Sequence, residues 1–265
     1  MIFIWTVVWI LLGEEVQSLS STSTSATVRL LVLDTLVPGQ RLRLDTEQPP
    51  RSFEEFCRNE QDPIVVVGRE GLSLHARGVE VVLLEDSSNI SSSTSDGCSS
   101  TPVVTLATTG RIAEIDDEGI DEGSRWNGRQ GRVRWLTTNL NEDDLALSVD
   151  EEPTEVTTEK IMALCATIGD LASEWEETVK VTGRERFPGQ LRGIVHDLGC
   201  SIPEEPNARA LWVAALINPL PALGVALEIR PAVLTARTTS RRLRVAQQGL
   251  QDSIDRMRRS PGSCF

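Results

Sequence analysis

The chain has few of the residue types on which metal binding and nucleotide chemistry depend. Its two histidines, His75 and His196, are too few for most histidine-based metal centres. The five cysteines are far apart, with no Cys-x-x-Cys pair, and their odd number does not suit a disulfide framework. Lysine occurs only as Lys160 and Lys180, and neither belongs to the glycine-rich phosphate loop of nucleotide hydrolases. The sequence therefore predicts no metal site and no cofactor site.

Recognisable catalytic patterns are missing too. No Gly-x-Ser-x-Gly elbow presents a serine nucleophile, and no Gly-x-Gly-x-x-Gly follows a predicted strand. The pair His196-Asp197 lies in a glycine-rich stretch, where an acid–base role is conceivable but a surface loop is the simpler interpretation. We expect a protein that is not an enzyme, with a hydrolase that uses His196 and a serine as a remote alternative.

Acidic residues outnumber basic ones over the whole chain, 39 to 26. The formal net charge is -13, and the isoelectric point is near 4.7. Phosphate binding needs a positive surface that displaces counterions, so this balance argues against a nucleic-acid partner.

The N-terminal residues 1–27 are typical of a removable leader with a flexible linker. Residues 2–12 are an apolar run of signal-peptide length, too short for the roughly 20 residues of a spanning helix, so we expect no integral membrane domain. The Ser/Thr-rich residues 20–27 suit a linker or a transit-like extension. Secretory-pathway entry, organelle import (possibly into a plastid) and a cytoplasmic location all stay open. The sequon at Asn89 matters only in the first case.

Residues 28–150 predict a β-rich half. Strand-like runs cover residues 64–67, 79–84, 103–112 and 131–136, and two further strands flank Val37-Pro38-Gly39-Gln40. Pro38 and Gly39 occupy the second and third positions of a predicted type II turn. Trp135 is interpreted as a strand core residue. Trp126, in an acidic hairpin, is a weak candidate for contacting a partner.

Residues 151–258 predict a helical half, followed by a tail at 259–265. An apolar stripe predicts a helix at about 154–182, and residues 184–203 are expected to form an irregular connector. A helix apolar on nearly all sides then starts at Asn207, its expected N-cap, buries Trp212 and stops at Asn218-Pro219-Leu220-Pro221. A short helix is expected to start between Glu228 and Pro231. A longer one runs from about Thr239 with one apolar face, made of Leu243, Ala246, Leu250, Ile254 and Met257. Strands first and helices second predict an α+β fold.

Two stretches together resemble the LON domain, the N-terminal substrate-binding domain of Lon proteases. One is the strand, Pro-Gly turn and strand of residues 28–44 with the short helix predicted after it. The more specific one is LWVAALINPLPALGVALEIRPAVL with RRLRVAQQGLQ, residues 211–234 and 241–251. The likeness spans about residues 28–254. Its structural signature is Pro38, Gly39, Trp212, Asn218, Pro219, Leu220 and Pro221.

The resemblance implies a β-rich, PUA-like pseudo-barrel followed by a C-terminal helical bundle. It implies a stand-alone LON-domain protein without the ATPase and protease domains of a full Lon. The expected function is non-catalytic binding of unfolded or exposed polypeptide in protein quality control. The alternative is an adaptor that holds one protein partner, such as a ligase or a protease subunit, through the helical half. Any binding site is expected on the β-rich half.

Overall fold

The computed structural model describes residues 25–45, 62–71, 73–84, 103–116, 129–136, 158–220 and 222–259. The apolar N-terminal run, Asn89, Trp126 and Pro221 lie outside these residues. The described strands are β1 Ser25–Val32, β2 Arg41–Asp45, β3 Ile64–Glu70, β4 Ser73–Leu84, β5 Val103–Asp116 and β6 Arg129–Leu136. The helices are α1 Thr158–Thr182, α2 Gln190–Asp197, α3 Pro206–Ile217, α4 Arg230–Thr235 and α5 Thr239–Arg259.

Five of the strands form a closed barrel. The sheet order is β2-β5-β4-β3-β1-β6, and the additional pairing of β5 with β6 closes the ring. β1 and β3 run parallel, the other pairs run antiparallel, and β2 lies on the outside against the first half of β5. The predicted α+β class, with a β-barrel before a helical region, is therefore confirmed. The predicted division at residue 150 lies outside the described residues and stays a prediction.

Strand β5 belongs to the barrel and to the β2 pair because it bends at Gly110. This glycine has φ of 93°, a backbone conformation that side chains with a Cβ rarely adopt. The pairing of β4 with β5 also shifts register between Val79 and Val81, close to that bend. Residues before the bend pair with β2, and residues after it pair with β6.

Strand alternation gives the barrel two apolar clusters. One joins side chains of β1, β3, β5 and β6 across the ring, and we place it in the barrel interior: Val28, Leu30, Val65, Val67, Ala113, Ile115 and Val133. Val66 and Leu31 belong to a second cluster on the opposite faces of β3 and β1, where Leu220 of the turn after α3 also packs. Because β3 is buried on both faces, its first four residues are a continuous apolar run, whereas the run of β1 is interrupted by the buried Arg29.

The helical half packs around α3. Every residue of α3 from Ala210 to Ile217 is buried, as its nearly all-apolar sequence predicts. α3 shares one core with the buried faces of α1 and α5 and with Val79 and Ile112 of the barrel. The predicted face of α5 is buried throughout: Leu243, Ala246, Leu250, Ile254 and Met257.

Two boundary predictions were wrong. The expected irregular connector at residues 184–203 contains the helix α2, whose eight residues are too few for a clear apolar period. Strands β3 and β4 form a longer hairpin than predicted, with its turn at Gly71. The extensions were missed because residues 68–77 carry charged and glycine residues between two apolar runs.

A buried arginine holds three helical segments together. The Arg242 side chain of α5 is 1% exposed and donates hydrogen bonds to the carbonyls of Val233 and Ala236, at 3.0 and 2.8 Å. Its Nη1 also donates to Asn207 Oδ1 at 2.5 Å. One guanidinium thus satisfies oxygens from the C-terminal end of α4 and from the first turn of α3.

Replacing Arg242 with methionine tests this role. Arg242→Met keeps much of the aliphatic volume but leaves the three buried oxygens short of a donor, so we expect a loss of about 3 kcal/mol in unfolding free energy. Urea denaturation followed by circular dichroism measures it. Arg244→Met, at an exposed position of the same helix, should change stability by less than about 0.5 kcal/mol. Equal losses in both variants would contradict the role of Arg242.

The predicted turn at Val37–Gln40 gives a second test. Gly39 has φ of 90°, so Gly39→Ala should destabilise the protein by about 1 kcal/mol through backbone strain, although its new Cβ would meet only Leu198 Cδ2, at 4.0 Å. Gly193 lies inside α2 with open space around it, and Gly193→Ala should stabilise by about 0.5 to 1 kcal/mol. Thermal melts of the two variants should therefore shift in opposite directions.

Candidate functional site

A cavity of about 390 Å³ lies where the barrel meets the helices. Its barrel side consists of Pro38 and Gly39 from the β1–β2 turn, Gly110 and Ile112 from β5, and Leu136 from the end of β6. The bend of β5 at Gly110 therefore helps to shape the cavity as well as the barrel. A volume of this size lies within the usual range of small-ligand pockets.

The helical side of the cavity comes from the start of α3 and from the segment before it. Ala208, Leu211 and Trp212 lie on the first turns of α3, and Leu198 and Pro203 belong to the connection from α2. The lining is mostly apolar, with Glu205 and Asn207 as its charged and amide members. A cavity with this lining favours an apolar group and offers few polar contacts to hold it.

The β1–β2 turn is fixed against both halves of the molecule. The Gln40 N–H donates to the Val37 carbonyl at 3.2 Å, which together with the positive φ of Gly39 confirms the predicted type II turn. Gln40 Oε1 accepts from the Val37 N–H at 3.1 Å, and the Gly39 N–H donates to Thr108 Oγ1 at 2.9 Å. Gln40 Nε2 donates to the Asn218 carbonyl at 2.9 Å, so the turn is tied to the end of α3.

Asn218 organises the chain after α3. Its Nδ2 donates to the Leu227 carbonyl at 3.0 Å, and its Oδ1 accepts from the Ile229 N–H at 3.0 Å. The side chain thereby closes the loop that leads into α4, as an asparagine amide can by donating and accepting at once. A second link joins the halves nearby, where Arg77 Nη1 of β4 donates to the Leu234 carbonyl at 2.7 Å.

The N-cap of α3 is Glu205 and not Asn207, so the sequence prediction was wrong by two residues. The Glu205 carboxylate accepts from the N–H groups of Asn207 and Ala208, at 3.0 and 2.5 Å, and Pro206 occupies the first turn. An acidic residue before a proline at the first helical position was the signal that could have identified it. Asn207 is instead buried and accepts from Arg242.

Trp212 is buried, at 5% exposure, as the apolar helix predicts, but it also borders the cavity. Its indole Nε1 is buried and has no hydrogen-bond acceptor among the residues that the structure describes. Sequence reasoning treated Trp212 as core alone. The cavity forms because the turn at Pro38 and the residue after α2, Leu198, lie beside Trp212 in the fold although they are far from it in the sequence.

The residues of the proposed signature separate into two places. Pro38, Gly39 and Trp212 meet at the cavity, whereas Asn218 and Leu220 lie at the other end of α3. Pro219 is buried beside Asn218. Pro221 and the binding candidate Trp126 lie outside the described residues, so their predicted roles stay predictions. The expectation that a site belongs to the β-rich half alone does not describe this cavity, because both halves line it.

Neither histidine belongs to an assembled catalytic set among the described residues. The His196 side chain is 79% exposed in the last turn of α2, and its Nδ1 lies 3.9 Å from Asp197 Oδ1. His75 Nδ1 lies 2.8 Å from Thr35 Oγ1, in a contact that joins β4 to the segment after β1. Among the residues described, no group of three or more acidic, histidine or cysteine residues could hold a metal ion. Within the same residues, no helix has the length and apolar character needed to cross a bilayer.

Cys165 lies on the buried stripe of α1 beside the start of α3, where its carbonyl accepts from Arg209 Nη1 at 2.6 Å. Burial raises the pKa of the Cys165 thiol; the Arg209 charge opposes this shift and the Glu205 charge adds to it. The thiolate is the reactive form, so this cysteine should be inert in the folded protein.

Thiol labelling tests that expectation. Cys200 is exposed and should react with iodoacetamide in the folded protein at neutral pH, whereas Cys165 should react only after denaturation. Peptide mass spectrometry at successive times separates the two sites. Labelling of Cys165 at the rate of Cys200 under native conditions would contradict the burial of α1.

Known proteins resemble this chain in fold and not in sequence. No protein-family model and no curated protein matches the chain. The fold is similar to the N-terminal domain of the Lon protease from the Mycobacterium avium complex, with a TM-score of 0.52, 15% sequence identity, and coverage of 86% of this chain and 99% of that chain. A Lon N-terminal domain protein from Xanthomonas campestris gives a TM-score of 0.44, 18% identity, and coverage of 83% and 95%.

The first of these similarities confirms the resemblance to the LON domain at the level of the fold. It covers nearly the whole of the solved domain and most of this chain, across the barrel and the helices. The TM-score of 0.52 shows shared architecture, and at 15% identity it does not show shared activity, because one fold hosts many functions.

Proposed function

We propose that this chain is a non-catalytic binding module that recognises exposed apolar or unfolded polypeptide segments, in the service of protein quality control. The observation that carries the proposal is the cavity between barrel and helices, whose mostly apolar lining suits one side chain of such a segment. The LON-type fold supports it, since the resemblance implies polypeptide recognition. The docking site would then be the junction of the two halves.

The chemistry of the cavity favours binding over catalysis. Among the described lining residues the one carboxylate, that of Glu205, caps α3, and Asn207 accepts from Arg242. Neither His75 nor His196 lines the cavity. A general base needs to reach the proton it removes, and the lining offers no free group for that step.

The adaptor hypothesis rests on a different surface. Large apolar side chains are exposed in the helical half at Met162, Val181, Phe187 and Leu227. Such residues can anchor a folded partner. This alternative predicts saturable one-to-one binding of a single folded protein, together with no binding of unfolded model proteins.

Obstruction of the cavity tests the main proposal. Ala208 lines it, and Ala208→Trp should fill much of its volume and lower the affinity for a reduced, carboxymethylated model protein by at least about tenfold. Ala232→Trp, at an exposed position of α4 that does not line the cavity, should bind like the unsubstituted chain. Fluorescence anisotropy of the labelled unfolded protein against the full chain measures both. No detectable binding by the unsubstituted chain at high micromolar concentration would count against the proposal.

A further inference from the structure

One end of the helical half is basic, although acidic residues predominate in the chain as a whole. Helices α1 and α5 run parallel, because Trp175 Nε1 donates to Ser253 Oγ at 2.8 Å and, further along both helices, Thr182 Oγ1 lies 3.9 Å from Met257 Sδ. Their C-terminal ends therefore lie side by side. Over residues 178–189 and 253–259, which make up this end, six basic side chains stand against two acidic ones.

Five of these cations face solvent, and they form what is called here the basic end: Lys180, Arg186, Arg256, Arg258 and Arg259. Arg258 Nη2 lies 2.5 Å from Glu174 Oε1, and Arg259 Nη2 lies 3.7 Å from Asp255 Oδ2. Lys180, Arg186 and Arg256 have no ion pair with another described residue. Basic residues in a last helical turn complement the helix dipole, but Arg186 lies beyond α1 and before α2, where that explanation does not apply.

Two large apolar side chains are exposed beside these cations. Val181 is 76% exposed and Phe187 is 53% exposed. The turn that carries Phe187 is fixed, since the Phe187 carbonyl accepts from the Gln190 N–H at 3.2 Å and the Arg186 N–H donates to the buried Gln190 Oε1 at 2.9 Å. A Cβ placed on Gly189 in the same turn would meet no atom within 4 Å, so the turn projects into open space. The fold therefore holds Phe187 out in a fixed position.

The pairing of cations with projecting apolar side chains selects the partner. Arginine and lysine bind phosphate groups, which nucleic acids and lipid headgroups both carry. A bilayer also has an apolar layer directly beneath its phosphates, where an aliphatic side chain such as Val181 can be buried, and a nucleic acid has none. The acidic remainder of the chain does not prevent such contact, because charges separated by more than about 8 Å are largely screened at physiological ionic strength.

We propose that the basic end docks on an anionic lipid bilayer, with Lys180, Arg186 and Arg256 against lipid phosphates and with Val181 and Phe187 at the boundary of the acyl chains. Binding at a membrane surface grows with the apolar area that is buried and with the attraction of basic residues to anionic lipid. The described lining of the cavity contains no residue of the basic end. The proposal is therefore independent of the proposed function.

Sedimentation of the full chain with lipid vesicles tests this proposal. The chain should bind vesicles of equimolar phosphatidylcholine and phosphatidylglycerol, and it should lose most of that binding with phosphatidylcholine alone or at high salt. Arg256→Gln should weaken binding to the anionic vesicles by about fivefold, and Phe187→Ala by about tenfold. Two matched controls should bind like the unsubstituted chain: Arg244→Gln removes an exposed charge nearer the start of α5, and Met162→Ala shortens an exposed apolar side chain near the start of α1.

All of these chains carry the same apolar run at residues 2–12, so differences between them report on the basic end. No binding to either kind of vesicle, or equal binding to neutral and anionic vesicles, would overturn the proposal. Equal losses in Arg256→Gln and Arg244→Gln would overturn it as well. Binding of a short DNA duplex without binding of vesicles would replace the membrane by a nucleic acid as the partner of this surface. Circular dichroism checks that each variant is folded, which is expected because all four substituted positions are exposed.

Discussion

The structure depends on the need to cover α3 on every side. A helix with one apolar face requires a single neighbour, but α3 is buried from Ala210 to Ile217 and requires a complete shell. Burial of an aliphatic side chain stabilises by roughly 1.5 to 3 kcal/mol, so exposure of even one face of α3 would remove much of the net stability of a domain. The barrel side at Val79 and Ile112, the stripe of α1 and the face of α5 supply this shell together. For this reason the barrel and the helices share one core.

A shell made from separate elements needs polar links where their ends meet, and these links lie at the two ends of α3. At its start, Arg242 joins Asn207 to the carbonyls of α4. At its end, the Asn218 carbonyl receives Gln40 from the barrel while the Asn218 side chain closes the following loop. The cavity lies beside the first turns of α3. There, the residues that cover α3 change from helical segments to the β1–β2 turn of the barrel. Elements of different shape meet there, and close packing is hardest to achieve at such a boundary.

The sequence predicted the parts of the structure that depend on local period, and it missed those that depend on assembly. The stripes of α1 and α5 and the all-apolar α3 were recognisable because eleven or more residues repeat one pattern. The type II turn followed from Pro38 and Gly39 alone. Helix α2 was too short to show a period, and Glu205 was passed over as N-cap because Asn207 is the more common capping residue. No local pattern encodes which distant strands pair, so the barrel was expected from the resemblance alone, and the pairing of β5 with β6 that closes it, and with it the cavity, could not be predicted from the residues.

The junction cavity is better suited to recognition than to chemistry, for a reason that lies in its polar groups. Catalysis requires groups that are free to accept or donate protons or to stabilise developing charge. In the described lining the carboxylate and the amide serve the fold, and the other polar side chain, that of Trp212, has a buried indole N–H that does not exchange its proton as an acid or base near neutral pH.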